Sequence, residues 1–210
     1  MRKIILIGGA PTSGKSYTAR VIAEDLKLPW ISTDTIREQM RGIVRKDDYP
    51  NLFIFNDSDP KQAVEYLSEA TTNKIVDDQN KESGDVWKGL KALIENDYVW
   101  DDFVVEGVAI LPSFIPQLSD NNIIIPFFLT DNNKRRIRET IFTRGLWNEA
   151  SKYPDSVKEK EVEWVLAFDQ WIRKESKKYG YKTFDIINRT DHIHEVSKYV
   201  KTKLHNPISF

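Results

Sequence analysis

Near the start of the sequence, a glycine-rich loop directly follows a short apolar run. The apolar run is Ile4–Ile7, and Gly9–Ser16 then fits the pattern G-x-x-x-x-G-K-[ST]. Between a strand and a helix, glycines let backbone N–H groups converge on an anion, and the helix N-terminus adds the positive end of its dipole. The sequence therefore predicts a phosphate-binding loop here, rather than a glycine-rich turn before an ordinary helix.

Within this loop each position has an expected partner on a nucleotide. Lys15 is expected to reach the outer phosphates, and the Ser16 hydroxyl is expected to ligate Mg²⁺. The residues expected to contact the nucleotide are consecutive in the chain: Gly9, Ala10, Pro11, Thr12, Ser13, Gly14, Lys15, Ser16 and Tyr17.

Composition limits the class of protein. A chain of 210 residues that is 40% hydrophobic suits one compact α/β domain over residues 1–210. The formal net charge of −1 favours no nucleic-acid or membrane partner, so an anionic substrate would need a local cluster of Arg and Lys. The absence of cysteine excludes disulfides, thiolate metal sites and Cys nucleophiles. The apolar runs are too short to cross a bilayer and no secretory signal is visible, so we expect a cytoplasmic protein.

Apolar strands alternate with longer amphipathic stretches, which predicts a parallel sheet with helices on both faces. The five predicted strands are Lys3–Ile7, Pro29–Ser32, Asp102–Gly107, Asn122–Leu129 and Tyr181–Ile187. Residues 43–58 are expected to form a loop or short cap. Two helices are expected between Pro60 and Asp97, with the break between them at Ser83-Gly84.

Two acidic residues are predicted at the carboxyl ends of strands, where open parallel sheets bind their ligands. Asp34 follows the second strand and Glu106 ends the third, whereas Asp101 and Asp102 lie at the opposite end. Asp34 could accept a proton from a substrate hydroxyl or hold that hydroxyl in place. The alternative is that Asp34 caps the next helix, a role that Thr33 could also fill.

Basic residues that follow Asp34 could bind an anionic substrate. Arg37 and Arg41 come one and two helical turns later, and a guanidinium binds a phosphate or carboxylate in bidentate fashion. The alternative for both is a solvated surface arginine. Glu106 could bind substrate or a Mg²⁺-bound water beside Gly107, which allows close backbone approach; the alternative is a charged strand end in solvent.

A second basic cluster follows the fourth strand. Ile137 and Ile141 define the inward face of the predicted helix, and Arg144 extends that face by three residues. Arg144 is therefore expected to point towards the site and to neutralise charge on a transferring phosphoryl group. Three further arginines could assist it or form only a solvated basic face: Arg135, Arg136 and Arg138.

Other conspicuous side chains are expected to be structural. The helix predicted over Val157–Tyr179 carries an aromatic stripe, which we expect to pack in the core: Trp164, Phe168 and Trp171. The three histidines are expected on the surface: His192, His194 and His205. The first two are two positions apart on a predicted helix, which is the wrong spacing to bind one metal ion together.

The chain resembles the P-loop small-molecule kinases of the nucleoside-monophosphate-kinase-like group. Three segments carry the resemblance: the phosphate loop, Ser32–Arg37 and Val105–Val108. Within that group the chain looks most like 2-phosphoglycerate kinase and related predicted kinases. The resemblance implies a three-layer P-loop NTPase fold with a five-stranded parallel sheet of order 2-3-1-4-5. It also implies a substrate cap at about 43–82, an Arg-bearing lid at about 143–158, and the use of ATP and Mg²⁺.

Carried over residue by residue, the resemblance implies that Asp34 is the substrate-site acid, Arg37 the substrate arginine and Arg144 the lid arginine. The chain departs from the family pattern at two positions. Ala109 stands where a His is expected after Glu-Gly-Val, and Thr140 stands where a second lid arginine is expected. Both departures bear on which molecule accepts the phosphoryl group more than on the class of reaction.

The function expected is transfer of the ATP γ-phosphate to a small, anionic metabolite such as a phosphoglycerate, by a monomer or homodimer. A nucleoside, nucleotide, antibiotic or nucleotide-sugar kinase is an alternative. Three cap aromatics could stack a base, or they could equally form a small satellite core: Tyr49, Phe53 and Phe55. A binding module that uses a nucleotide without chemistry is the alternative from another class. The guanine-binding sequence N-K-x-D is absent, which argues against a GTPase.

Overall fold

The computed structural model describes residues 1–55, 60–146, 150–186 and 191–205. Its five strands form one parallel sheet: β1 (Lys3–Gly9), β2 (Trp30–Ser32), β3 (Phe103–Glu106), β4 (Ile123–Thr130) and β5 (Lys182–Asp185). The strand order β2-β3-β1-β4-β5 confirms the order expected from the sequence. Parallel pairing brings the carboxyl ends of all five strands to one edge of the sheet.

Helices cover both faces of this sheet. They are α1 (Lys15–Leu26), α2 (Thr33–Ile43), α3 (Pro60–Glu69), α4 (Thr72–Asn96), α5 (Lys134–Arg144), α6 (Asp155–Lys178) and α7 (Asp191–His205). Short 3₁₀ turns lie at Pro50–Phe53, Ile115–Gln117 and Ala150–Lys152. Within the described ranges no helix is both long and apolar enough to cross a membrane.

The central strand β1 divides the core into two halves. Ile4 and Leu6 face a large cluster built mainly with α4 and α6, while Ile5 and Ile7 face a smaller one with α1 and α7. All four side chains are fully buried. A strand covered on both faces needs apolar residues at every position, which explains the unbroken apolar run in the sequence.

The predicted helix break at Ser83-Gly84 is wrong. The break lies instead at Thr71, whose hydroxyl caps α4, and α4 then continues for 25 residues. The Ser83 hydroxyl donates to the Gln79 carbonyl at 2.7 Å, so it does not compete with the helix. A Cβ at Gly84 would meet only the Phe114 ring, at an ordinary contact distance of 3.8 Å, and the helix continues through this glycine without a turn.

The surface position predicted for His192 is also wrong. His192 is buried, and its Nε2 lies 3.2 Å from the Thr18 hydroxyl of α1. It precedes the buried Val196 and Val200 at helical spacing, so it lies on the face of α7 that packs on the domain. The other two histidines are exposed as expected: His194 and His205.

Several predictions extend beyond the described residues. Strand β5 ends at Asp185, and the predicted strand end at Ile187 lies outside the described ranges. The same holds for residues 56–59 of the predicted cap and 147–149 of the predicted lid.

Candidate active site

The phosphate-loop sequence forms a tight connection between β1 and α1. Gly9 has φ 141° and Gly14 has φ 77°, a region of backbone conformation that favours glycine. A Cβ on Gly9 would also collide with the carbonyl oxygen of Leu129 on β4. Glycine is therefore required at the turn that aims the loop at the start of α1.

The donors of this loop suit an anion. The Thr12 and Ser13 hydroxyl oxygens are buried and have no hydrogen-bond partner within the described ranges. The Lys15 Nζ donates to the Ala10 carbonyl at 2.7 Å. Burial lowers the pKa of Lys15, and the nearby carboxylates of Glu106 and Asp34 oppose that shift. A nucleotide phosphate would supply the acceptors and the negative charge that these groups lack.

A cavity of about 220 Å³ opens beside this loop, at the carboxyl edge of the sheet. Nine predicted site residues line it: Pro11, Thr12, Lys15, Ser16, Asp34, Arg37, Glu106, Gly107 and Arg144. Six further residues complete the lining: Phe55, Gln79, Glu82, Val108, Leu146 and Trp164. The structure thus brings together residues from the loop, α2, α4, β3, α5 and α6.

The interpretation of Asp34 as a helix cap is wrong. Ser32 caps α2, and its hydroxyl accepts a hydrogen bond from the Asp34 N–H at 3.2 Å. The Asp34 side chain is 61% exposed and lies 3.1 Å from the Arg37 guanidinium. Its carboxylate is therefore available to the cavity and is not needed to begin the helix.

Glu106 lies buried at the end of β3, directly below the cavity. Burial raises the pKa of Glu106, while the Lys15 ammonium and hydrogen bonds from Ser32 and Ser16 oppose the shift. Gly107 has φ 149°, and a Cβ there would collide with Thr33. The glycine therefore lets the end of β3 pass close to the start of α2.

The Ser16 hydroxyl and Glu106 are the groups placed to serve Mg²⁺. Within the described part of the chain, no three His, Cys, Asp or Glu side chains converge as a protein-only metal site. Mg²⁺ commonly takes one or two protein oxygens and completes its shell with phosphates and water. The pair at the foot of the loop fits that pattern, and the metal role of both residues stays a prediction.

Arg37 is surrounded by carboxylates. Its guanidinium lies 3.1 Å from Asp34, 3.0 Å from Glu38 and 3.7 Å from Glu82. The pKa of Arg37 is raised: burial alone would lower it, but Asp34 and Glu82 outweigh burial. Arg37 lines the cavity as predicted, but it is already in ion pairs.

Arg41, predicted to bind substrate, lies outside the cavity. Its guanidinium donates to the Leu52 carbonyl at 2.8 Å, the Phe55 carbonyl at 2.9 Å and Glu82 at 2.8 Å. These contacts hold the segment after α2 against α4, so the geometry favours a structural role for Arg41.

Arg144 ends α5 and lines the cavity, as the helical stripe predicts. Within the described ranges it has no ion-pair partner, and its charge acts on Lys15, lowering the pKa of that ammonium. The other three arginines of α5 are paired with carboxylates: Arg135 with Glu139, Arg136 with Asp131 and Arg138 with Glu159. Arg144 is thus the arginine of this helix that faces the phosphate loop.

The sequence interpretation missed Gln79, Glu82 and Trp164 as site residues. Gln79 and Glu82 lie on the buried face of α4, at helical spacing between the apolar residues Ile75 and Val86. A polar pair on such a face is a signal that sequence reasoning could have used. Trp164 packs in the core as expected, and it also forms part of the cavity wall.

Tyr17, predicted to contact the nucleotide, is half-exposed on α1, and the Arg20 guanidinium lies 5.7 Å from its ring centre. It is not among the residues that line the cavity. Its contact with a nucleotide stays a prediction.

The fold and the loop define the class as the P-loop small-molecule kinase fold. A shikimate kinase from Bacteroides thetaiotaomicron superposes with a TM-score of 0.53 over 98% of this chain and 99% of that chain. The two sequences are 12% identical, so this likeness concerns the fold.

Among individual proteins, two 2-phosphoglycerate kinases are similar in sequence. The one from Methanocaldococcus jannaschii is 24% identical over 204 residues, which is 96% of this chain and 64% of that protein. The one from Methanothermobacter thermautotrophicus is 32% identical over 149 residues, 69% of this chain and 48% of that protein. The chain spans less than two thirds of the length of both relatives, and no family model matches it. The expected resemblance to P-loop small-molecule kinases, and to 2-phosphoglycerate kinase among them, is confirmed.

Proposed function

We propose that the protein is an ATP- and Mg²⁺-dependent kinase that transfers the γ-phosphate of ATP to a hydroxyl group of a small molecule. The observation that carries the proposal is the shared cavity of Lys15, Asp34 and Arg144 beside the phosphate loop. A module that only bound a nucleotide would have no need for a carboxylate and an arginine at that place.

In the proposed reaction the acceptor oxygen forms a bond to the γ-phosphorus while the bond from that phosphorus to the bridging oxygen of ADP breaks. The acceptor proton passes to the Asp34 carboxylate. Lys15 and Arg144 lie where they can neutralise the negative charge that spreads over the phosphoryl oxygens. Mg²⁺, when bound beside Ser16, supplies further neutralisation of the β- and γ-phosphates.

The acceptor expected from the sequence is a phosphoglycerate or a similar small anion. The names of the two curated relatives support it. Because each relative extends well beyond the matched region, the acceptor has to be tested separately from the reaction class.

The test is ADP release from Mg²⁺–ATP across a panel of phosphoglycerates, nucleosides, nucleotides, sugars and aminoglycosides. Lys15→Ala is the inactive reference, and Lys198→Ala, an exposed lysine on α7, is the matched control. We expect acceptor-dependent ADP release that Lys15→Ala abolishes and Lys198→Ala retains. Transfer that survives in Lys15→Ala would remove the loop from the mechanism.

A further inference from the structure

The charges around the cavity bear on the acceptor, given the kinase function proposed above. Among the described residues the lining carries three cations and three acids: Lys15, Arg37, Arg144, Asp34, Glu82 and Glu106. Lys15 and Arg144 flank the phosphate loop and serve the ATP phosphates in the proposed reaction. Glu106 is assigned with Ser16 to Mg²⁺, so the part of the cavity left to the acceptor holds one cation, Arg37, and two carboxylates, Asp34 and Glu82.

The remaining cation, Arg37, is already bound by carboxylates. Asp34 lies 3.1 Å from its Nη1, Glu38 lies 3.0 Å from its Nε, and Glu82 lies 3.7 Å from its Nη1. A phosphate or carboxylate on the acceptor would have to compete with these groups for the same guanidinium. It would also approach Asp34 and Glu82, which repel it.

Glu82 has little freedom to move away from such an anion. It lies on the long helix α4 and is only 2% exposed. Arg41 donates to one of its oxygens at 2.8 Å, and the Gln79 amide lies 3.4 Å from the other. Arg41 is itself fixed by the Leu52 and Phe55 carbonyls, so the cation that could have balanced an anionic acceptor is used to hold Glu82 in place.

The other groups of this half suit hydroxyls and ring faces. Carboxylates and the Gln79 amide accept or donate hydrogen bonds with neutral hydroxyl groups. Phe55 and Trp164 present aromatic surface in the same lining, and such rings pack on the apolar faces of sugars or on bases. Aromatic rings and carboxylates together also accommodate an amine.

We infer that the acceptor is a polyhydroxyl compound with no anionic group, such as a sugar, amino sugar or nucleoside, and that Glu82 determines this specificity. The inference rests on the proposed kinase function but departs from the phosphoglycerate expected from the sequence. Glu82 acts by repelling phosphate and carboxylate groups on a competing acceptor. A repulsive group of this kind gives specificity without adding any contact to the preferred acceptor.

The experiment uses matched pairs that differ by one phosphate group. They are ribose and ribose 5-phosphate, uridine and uridine 5′-monophosphate, and glucosamine and glucosamine 6-phosphate, with 2-phosphoglycerate added. Binding to the full chain is measured by calorimetry with saturating Mg²⁺–ADP, so that the nucleotide site is filled and turnover is not needed. We expect at least one phosphate-free member to bind tenfold or more tightly than its phosphorylated partner and than 2-phosphoglycerate. Tighter binding of the phosphorylated members or of 2-phosphoglycerate, or no binding by any phosphate-free member, would overturn the inference.

Two variants test the role of Glu82 itself. Glu82→Gln keeps the shape of the side chain and most of its hydrogen bonds but removes its charge. We expect this variant to lower the affinity ratio between the phosphate-free and the phosphorylated member of a pair about tenfold. Glu38→Gln is the matched control, because Glu38 contacts the same two arginines but is 59% exposed and lies outside the cavity lining. An equal effect of both variants, or an unchanged affinity ratio in Glu82→Gln protein that is folded at the assay temperature and binds Mg²⁺–ADP, would overturn the role of Glu82.

The outcomes also separate this inference from the proposed function. Phosphorylation of 2-phosphoglycerate in preference to every phosphate-free compound would support the kinase and overturn the acceptor class. If the protein binds no Mg²⁺–ADP and releases none from ATP, the kinase proposal fails. In that case the pairs are measured without nucleotide, and preference for the phosphorylated members would still contradict the role of Glu82.

Discussion

The Arg41 guanidinium donates to a Glu82 carboxylate oxygen across 2.8 Å, and neither side chain is more than 8% exposed. This pair joins α2 to α4. Two further bonds from Arg41 reach the Leu52 and Phe55 carbonyls, so the same guanidinium also fixes the segment that forms one wall of the cavity. One buried residue thereby connects three elements of the acceptor side.

Arg41→Met should destabilise the protein strongly. Methionine keeps much of the volume but removes the guanidinium that lies 2.8 Å from Glu82 and leaves two part-buried carbonyls without this donor. Removing one partner of a buried ion pair typically lowers the free energy of unfolding by about 3–5 kcal/mol. Urea unfolding measures the change. Arg45→Met is the control, since Arg45 is 80% exposed and its pair with Asp47 spans 3.7 Å; we expect a change within about 0.5 kcal/mol there. Equal losses in the two variants would refute the structural role of Arg41.

The fold could be predicted from the sequence because its signals are local. The apolar run of β1 fixes a buried central strand, and the glycine spacing fixes the turn that follows it. Arg144 was placed correctly for the same reason, because it continues the buried stripe of Ile137 and Ile141 on one helix. Each of these signals depends only on neighbouring residues.

The acceptor side could not be predicted as fully, because its contacts join residues distant in the chain. Nothing in the spacing of Arg41 shows that its charge is used by Glu82, 41 positions later. The glycine at 84 suggests a helix break, although α4 continues through it, with Val86 and Trp87 buried directly after it. Tertiary packing decided both cases, and local propensity gave no sign of it.

Asp34→Asn should slow phosphoryl transfer while leaving ATP affinity nearly unchanged. The amide cannot take the acceptor proton, and a general base typically contributes about 10²–10⁴-fold to the rate. Helix α2 should be unaffected, because Ser32 and not Asp34 caps it. Steady-state kinetics with the best acceptor, together with nucleotide binding by calorimetry, measures both quantities. Glu38→Gln removes another carboxylate from Arg37 outside the cavity, so a loss of similar size there would contradict the role of Asp34 as base.

Arg144→Ala should also slow transfer, by about 10²–10³-fold, because it removes a cation from the developing charge. The effect is expected mainly in kcat rather than in the KM for the acceptor. Arg135→Ala is the control on the same helix: Arg135 is 89% exposed, pairs with Glu139 and does not line the cavity. Single-turnover measurements separate the chemical step from product release. Unchanged transfer in Arg144→Ala would leave the lid arginine without a role.

Glu161 on α6 gives the protein a pH-dependent stability. Its side chain is fully buried, and neither carboxylate oxygen has a hydrogen-bond partner within the described ranges. Burial raises the pKa of Glu161 to about 8, and the nearby Lys158 ammonium only partly opposes this shift. The folded state therefore holds a proton that the unfolded state, with a carboxyl pKa near 4.5, has already released. Because the folded state binds the extra proton, the contribution of Glu161 to stability falls as the pH rises from about 4.5 to about 8.

Glu161→Gln should remove this dependence, since the amide stays neutral at every pH. We expect the free energy of unfolding of the variant, relative to wild type, to rise by up to about 1.4 kcal/mol for each pH unit between pH 5 and 8. Urea unfolding at four pH values in this interval measures the difference. Glu163→Gln is the matched control on the same helix, because the Glu163 side chain is 55% exposed. Its curve should run parallel to that of wild type. A Glu161→Gln curve that is also parallel to wild type would show that Glu161 is ionised in the folded protein.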